Sequence, residues 1–344
     1  MPRLTLLLSA LLCSPAFYPA AMAADAPREF GSAFFTGLSI SVVQVRVADA
    51  AGKSYFGSGV VVAENEVVTN CHVTRHAARL EVAKGALVFP VFGQKADMDN
   101  DLCLLRTAPM PLRVVALRDS ASVKPGERSF FYGYPGGMEA FFAPGRISTL
   151  HPHGGSAIFE TSSGFTLGGS GGGLFDDQGQ LIGITTFLNA GHRGGYFAMP
   201  ADRVSALRSL PERDIGPLTG LALWERPDAE QPWFLRVARL TAQSRWQQAA
   251  DTALAWTRAE PDNPDAWHQA GATLVRGARY QDAIAPLQRA LAGMPDHPDV
   301  LFHMALALSL SGSAEQASEM RMKLVGANAE LARRLDDLLE HRDR

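Results

Sequence analysis

Between Ser39 and about Met199 the hydrophobic positions fall in short, mostly β-branched runs. Examples are Ser41-Val42-Val43-Gln44-Val45-Arg46-Val47, Gly59-Val60-Val61-Val62, Glu66-Val67-Val68-Thr69, Leu102-Cys103-Leu104-Leu105, Leu181-Ile182-Gly183-Ile184-Thr185 and Gly195-Tyr196-Phe197-Ala198-Met199. Each is too short for a globular helix and is bounded by Gly, Pro or Asn, which predicts an antiparallel barrel or sandwich. Past Pro200 the pattern changes. Ala201 to Leu210 reads as a short helix, Pro211 to Pro232 as a proline-punctuated connector, and from Trp233 Ala and Leu recur at helical spacing. The predicted organisation is therefore a β domain over 24–210, a linker over 211–232 and an all-α domain over 233–344.

The helical third repeats itself. Pro261, Pro264, Trp267, Gly271, Ala283, Ala290 and Pro295 fall at the offsets of a tetratricopeptide (TPR) unit, and Pro295 follows Pro261 by the 34 residues of that repeat. The phase extends backward to Trp233 and Ala249 and forward to Pro298, Leu301 and Ala317. Two to three helix pairs are expected, with Ala327 to Leu339 as a terminal helix covering the apolar end of the stack. An unrelated helical bundle is the alternative.

The first 23 residues have a different logic. Arg3, an apolar run from Leu4 to Leu12 and the small residues of Ala21-Met22-Ala23 make the three parts of a secretory signal, with cleavage expected after Ala23. The run is shorter than the about 20 residues that span a bilayer, and Pro15 and Pro19 would interrupt a buried helix. Cys13 should leave with the signal. With no later membrane span in the sequence, a periplasmic or secreted protein is expected. At 344 residues the chain suits two domains, and its 47% apolar and 19% charged residues describe ordinary globular protein. The formal net charge of -3 offers no footprint for nucleic acid or an anionic membrane.

The candidate chemistry centres on Gly164-Phe165-Thr166-Leu167-Gly168-Gly169-Ser170-Gly171-Gly172-Gly173, a serine set among glycines that free backbone N–H groups for a ligand or an oxyanion. Such loops also bind phosphate, but no Lys-Ser or Lys-Thr follows Ser170. A serine nucleophile needs a base and a group that orients it. His72, in Thr69-Asn70-Cys71-His72-Val73, stands at the end of a valine-rich strand, with His76 as its competitor. Among Asp97, Asp99 and Asp101, Asp101 directly precedes an apolar run that would anchor it, whereas the other two read as loop charges. His151 and His153, in His151-Pro152-His153-Gly154-Gly155, raise the idea of a metal, but an exposed loop is the expected setting and no metal or other cofactor is assigned.

Gly57-Ser58-Gly59-Val60-Val61, Thr69-Asn70-Cys71-His72-Val73, Asn100-Asp101-Leu102-Cys103-Leu104-Leu105 and Gly169-Ser170-Gly171-Gly172 resemble trypsin-like serine proteases, specifically the HtrA/Deg-like branch. Tyr132-Gly133-Tyr134-Pro135-Gly136 and Tyr196-Phe197-Ala198-Met199-Pro200 are similar to the same branch, and the likeness covers roughly Phe34 to Leu210. It implies a double β-barrel with His72 as general base and acid, Asp101 orienting it, Ser170 as nucleophile and the N–H groups of Gly168 and Ser170 as the oxyanion hole. It also implies that Thr186 could support Asp101, and that Cys71 and Cys103 would meet in a disulfide bracing the site.

The sequence departs from the resemblance at informative points. Gly169 stands where digestive members carry an aspartate that pairs with a newly cut N-terminus, and Gly164 leaves the specificity pocket without an acid, disfavouring basic substrate side chains. The branch usually continues into a PDZ domain, and here helical repeats follow instead. The expected function is an exported serine endopeptidase acting on protein or peptide, with the repeats recruiting a partner or positioning substrate. The alternative is a noncatalytic protease-fold scaffold that binds protein.

Overall fold

The computed structural model describes residues 31–188 and 195–341. The predicted signal segment, its cleavage site and Cys13 lie outside the described residues. A short helix α1 (Ser32–Ser41) leads into the first barrel, made of β1 (Val42–Ala48), β2 (Ser54–Ala63), β3 (Glu66–Asn70), β4 (Arg79–Lys84), β5 (Leu87–Asp97) and β6 (Leu102–Thr107), with the one-turn helix α2 (Cys71–Thr74) after β3. The strands close in the order β1-β2-β3-β6-β5-β4. A second barrel closes as β10-β11-β12-β9-β8-β7 from β7 (Arg128–Gly133), β8 (Phe141–His153), β9 (Ser156–Thr161), β10 (Gly173–Phe175), β11 (Leu181–Leu188) and β12 (Tyr196–Pro200).

Alternation sets what each barrel encloses. Along β1, Val43, Val45 and Val47 point into the first barrel with Val61, Val67, Val82 and Leu105, while Val42 faces the other way into the core shared with the rest of the molecule. The smaller interior of the second barrel holds Ile147, Phe159, Leu174, Ile182 and Ala198. Closure leaves neither barrel with a free edge.

After α3 (Arg203–Arg208), the helical region among the described residues comprises α4 (Trp233–Ala242), α5 (Trp246–Ala259), α6 (Pro264–Arg276), α7 (Tyr280–Gly293), α8 (Pro298–Leu310), α9 (Ala314–Ala327) and α10 (Ala329–Glu340). α5, α7 and α9 begin at Trp246, Tyr280 and Ala314, each 34 residues after the last. Proline opens α6 and α8, where its missing N–H costs no helical bond. Gly271 lets α6 approach α7 closely, since a Cβ there would lie 2.4 Å from Leu287 Cγ.

The first helix of each pair faces the second barrel. Phe234 of α4 stacks on His151 at 4.2 Å and Asp265 of α6 bonds the same imidazole. Pro298 of α8 covers Gly126, and Glu330 of α10 reaches Arg146 at 3.5 Å. The segment 211–232 also runs against the first barrel. Arg213 pairs with Gln94, Leu218 N–H donates to Arg75 O, and Leu223 N–H donates to Asp99 O.

The sequence placed His151 and His153 in an exposed loop, and the structure corrects this. His151 lies in β8, 2% exposed, because β8 continues beyond Pro152 to pair with β9 and the helical region covers it. His153, at the end of β8, is half-buried.

Candidate active site

Asp101 sits at the turn entering β6 with its carboxylate fully buried. Its φ of 53° is a left-handed conformation, one that Asp tolerates better than most residues and that aims its side chain at α2. There Oδ1 accepts the His72 backbone N–H at 2.7 Å and Oδ2 meets His72 Nδ1 at 2.5 Å. His72 Nε2 has no protein hydrogen-bond partner among the described residues, and its side chain keeps 23% exposure. Asp97 instead caps the loop through Asn100, Asp99 pairs with Arg226, and His76 is exposed. Neither competing aspartate reaches the imidazole.

Ser170 comes from the second barrel, on the loop before β10. The barrels are stitched together around it. Ser58 N–H donates to Ser170 O at 2.8 Å, and Ser58 Oγ accepts from Tyr134 N–H while donating to Gly168 O. Leu167 O accepts from Gly136 N–H at 2.8 Å. In a trans peptide that bond turns the Gly168 N–H to the opposite side of the loop. The N–H groups of Gly169, Gly171 and Gly172 donate to Thr166, Thr185 and Gly169 carbonyls, whereas those of Gly168 and Ser170 have no protein acceptor among the described residues. Two free donors flank the serine. Gly168, at φ +90°, could carry no side chain, since a Cβ would lie 2.7 Å from Tyr134 O. Behind the loop Lys84 donates to Tyr134 Oη at 3.0 Å, and burial brings its ammonium down to about 8.

Ser170 Oγ donates to Thr186 O at 3.2 Å rather than to His72. Thr186 does not support the Asp101 carboxylate. Its hydroxyl bonds back to Ile184 O and accepts from Asn70 Nδ2, which also donates to the Asp101 backbone carbonyl. The further donor to Asp101 Oδ2 is the indole N–H of Trp224, at 3.2 Å. Sequence reasoning missed Trp224, although Leu221-Ala222-Leu223-Trp224 is an apolar run inside a stretch read as linker. Cys71 and Cys103 are joined, with Cα atoms 4.9 Å apart, between the segments that carry His72 and Asp101. A Cβ on Gly164 would lie 3.3 Å from the Tyr196 hydroxyl.

Among the described residues no group of three or more His, Cys, Asp or Glu side chains is arranged to hold a metal ion, and no helix is long and apolar enough to cross a membrane.

Residues 57–184 match the trypsin-like peptidase domain family. Curated relatives include the serine protease HTRA1B of Danio rerio, 32% identical over 161 residues, which are 43% of this chain and 33% of that protein. The periplasmic serine endoprotease DegP of Salmonella typhimurium is 31% identical over 165 residues, 44% of this chain and 35% of its own length. The chain thus spans about a third of the length of these relatives. A solved structure of the HtrA-type protease AlgW with a tripeptide aligns with a TM-score of 0.48 at 24% identity, covering 51% of this chain and 62% of that one.

Proposed function

We propose that the chain is an exported serine endopeptidase that hydrolyses peptide bonds in protein substrates through His72, Asp101 and Ser170. One observation carries the reading: His72 is held through Nδ1 by a buried carboxylate and keeps Nε2 free, beside a serine loop with two unpaired N–H groups. In this reading His72 Nε2 takes the Ser170 Oγ proton as the oxygen attacks the scissile carbonyl. The N–H groups of Gly168 and Ser170 receive the oxyanion, and His72 returns the proton to the leaving amine. A water then attacks the acyl-enzyme by the reverse use of the same base.

The substrate is an extended or unfolded chain with small or medium apolar side chains at the cleavage site. Gly164 supplies no counter-charge, and exposed Phe56, Met138 and Leu167 stand close to the oxyanion loop as apolar contact surface. The helical region is read as tetratricopeptide repeats that recruit a partner. Since its odd-numbered helices leave the barrel-facing side, their outer surface, where Met322 and Val325 of α9 are exposed, is the face open to that partner. The first 23 residues are read as a signal that sends the protein to the periplasm or outside, an oxidising setting that suits a Cys71–Cys103 disulfide. Two free thiols in the denatured, unreduced protein would overturn that pairing.

A fluorophosphonate probe tests the catalytic reading. Labelling of the wild type and its loss in Ser170→Ala and His72→Ala are expected. A folded, monodisperse wild type that stays unlabelled would favour the scaffold reading, for which the Ser170 hydroxyl turned to Thr186 O is the supporting observation.

A further inference from the structure

The buried carboxylate of Asp101 receives three donors, and one of them comes from outside both barrels. Oδ1 takes the His72 backbone N–H, and Oδ2 takes both His72 Nδ1 and Trp224 Nε1. The Trp224 ring also stands edge-on to the His72 imidazole, with centroids 5.4 Å apart and planes at 89°. One half-buried side chain therefore touches the acid through its N–H and the base through its ring. Thr186 has its hydroxyl committed to Ile184 O and Asn70.

Trp224 is itself fixed from two sides. On the barrel side, Leu223 N–H donates to Asp99 O, Arg226 pairs with Asp99, and Glu225 accepts from Arg75 at 2.6 Å, three residues beyond the base. On the helical side, Gln231 Nε2 donates to the carbonyls of Trp224 and Arg226, and Arg239 of α4 reaches back to Asp228 at 2.6 Å. A continuous aromatic run joins the two. Trp224 stacks on Phe187 at 5.8 Å, Phe187 on Phe197 at 4.7 Å, and Phe197 meets Phe234 of α4 at 6.0 Å.

We propose that Trp224 is a positioning residue of the hydrolytic site, holding Asp101 Oδ2 and the His72 ring, so that the site is complete only when the segment entering the helical region is docked. The inference rests on the proteolytic reading above. An N–H donated to a buried carboxylate disperses its charge and fixes its rotamer. Without it, Oδ2 keeps only His72 Nδ1 and Oδ1 the His72 backbone N–H, so the carboxylate is held by fewer bonds and its less dispersed charge bears on the imidazole alone. Rate and pH dependence both change, while substrate contacts do not.

The test uses the full chain and a fluorogenic peptide with an apolar residue before the scissile bond. Trp224→Phe keeps a ring and removes the N–H. It should lower kcat on the order of tenfold, the scale of one hydrogen bond to a charged group, with KM within about twofold. The acidic limb of its kcat profile should move to higher pH. Trp224→His, which can offer a ring N–H, should recover part of kcat. If the phenylalanine variant loses its cooperative melt, a benzothienylalanine at position 224, with sulfur in place of the N–H, gives the same comparison in an isosteric ring. Wild-type kcat and an unmoved limb would overturn the role of Trp224, and so would a fall in kcat without movement of the limb, which marks a packing effect alone. Absence of Ser170-dependent hydrolysis in the wild type would instead remove the reading on which the role depends.

Discussion

Two histidines in this molecule make nearly the same ion-pair contact and lead opposite lives. His72 meets Asp101 at 2.5 Å and His151 meets Asp265 at 2.7 Å, each through Nδ1. The difference lies at the other nitrogen. His72 Nε2 has no protein partner among the described residues and its side chain is 23% exposed, whereas His151 Nε2 is taken by Glu160 at 3.1 Å and its ring is covered by Phe234. Burial works against a charge on His151, but Asp265 by charge and hydrogen bond, with Glu160 behind it, carries it up to about 9. In the proposed mechanism the first pair exchanges a proton with the reacting group. The second is a charged rivet between the second barrel and α6. A His–Asp pair is thus catalytic equipment only where one nitrogen is left open and water or substrate can reach it.

Exchange of roles should be impossible, and the largest effect expected is on chemistry. His72→Ala should reduce Ser170-dependent hydrolysis by about 10⁴-fold or more with little change in melting temperature. Hydrolysis within tenfold of wild type would break the comparison. His151→Ala should do the reverse, keeping fluorophosphonate labelling while costing about 3–5 kcal/mol in denaturant unfolding, since Asp265 is left buried, and Glu160 half-buried, without their cation. Unchanged stability would show that the rivet carries no load.

A smaller effect follows from titration. The His151 pKa is raised in the folded protein, so its contribution is complete below the unfolded value of 6.5 and is lost as pH rises through about 9. Its loss across that window should be about 3 kcal/mol, absent in His151→Ala. On the acid side the neighbours have the opposite sign. Burial first, then like charge among them, lowers His268 well below its ordinary range. Burial likewise takes His297 to about 4 and His303 to about 3. Their contribution is present above 6.5 and lost as pH falls toward those values. Asp299, pushed up to about 6 by burial and then by Glu160, partly offsets this, because its contribution is lost as pH rises from 3.8 through 6. Stability of this interface measured by urea melts should therefore peak near pH 6.5, and a monotonic profile would contradict it. The smallest effect belongs to the exposed end of the same interface. Arg146→Ala, which opens the 3.5 Å pair with Glu330, should change stability by no more than about 0.5 kcal/mol.

Much of the framework could be read from the chain. The short β-branched run through Val43, Val45 and Val47 marked a strand of a barrel or sandwich, and the 34-residue recurrence marked the helix pairs, because each is a local pattern that one element imposes on its own residues. Asp101 was separable from Asp97 and Asp99 by the apolar run that follows it. Thr186 was harder: a hydroxyl on a β-strand can bond back to its own chain, and here it does so toward Ile184. His151 was misread because Pro152 and Gly154-Gly155 look like a loop, while the strand runs on under a helical cover supplied by residues far away.

By itself, then, the sequence determined the two kinds of secondary structure, their order and which residue types cluster at the serine loop, all of which depend on neighbours within a few positions. Only the tertiary structure decided that Trp224 reaches Asp101 across 123 residues and that Asp265 reaches His151 across 114. Contacts of that span leave no period in the chain. They arise when two closed barrels and a helical stack bury a common core, and that packing places an indole N–H from an apparent linker on the Asp101 carboxylate beside His72.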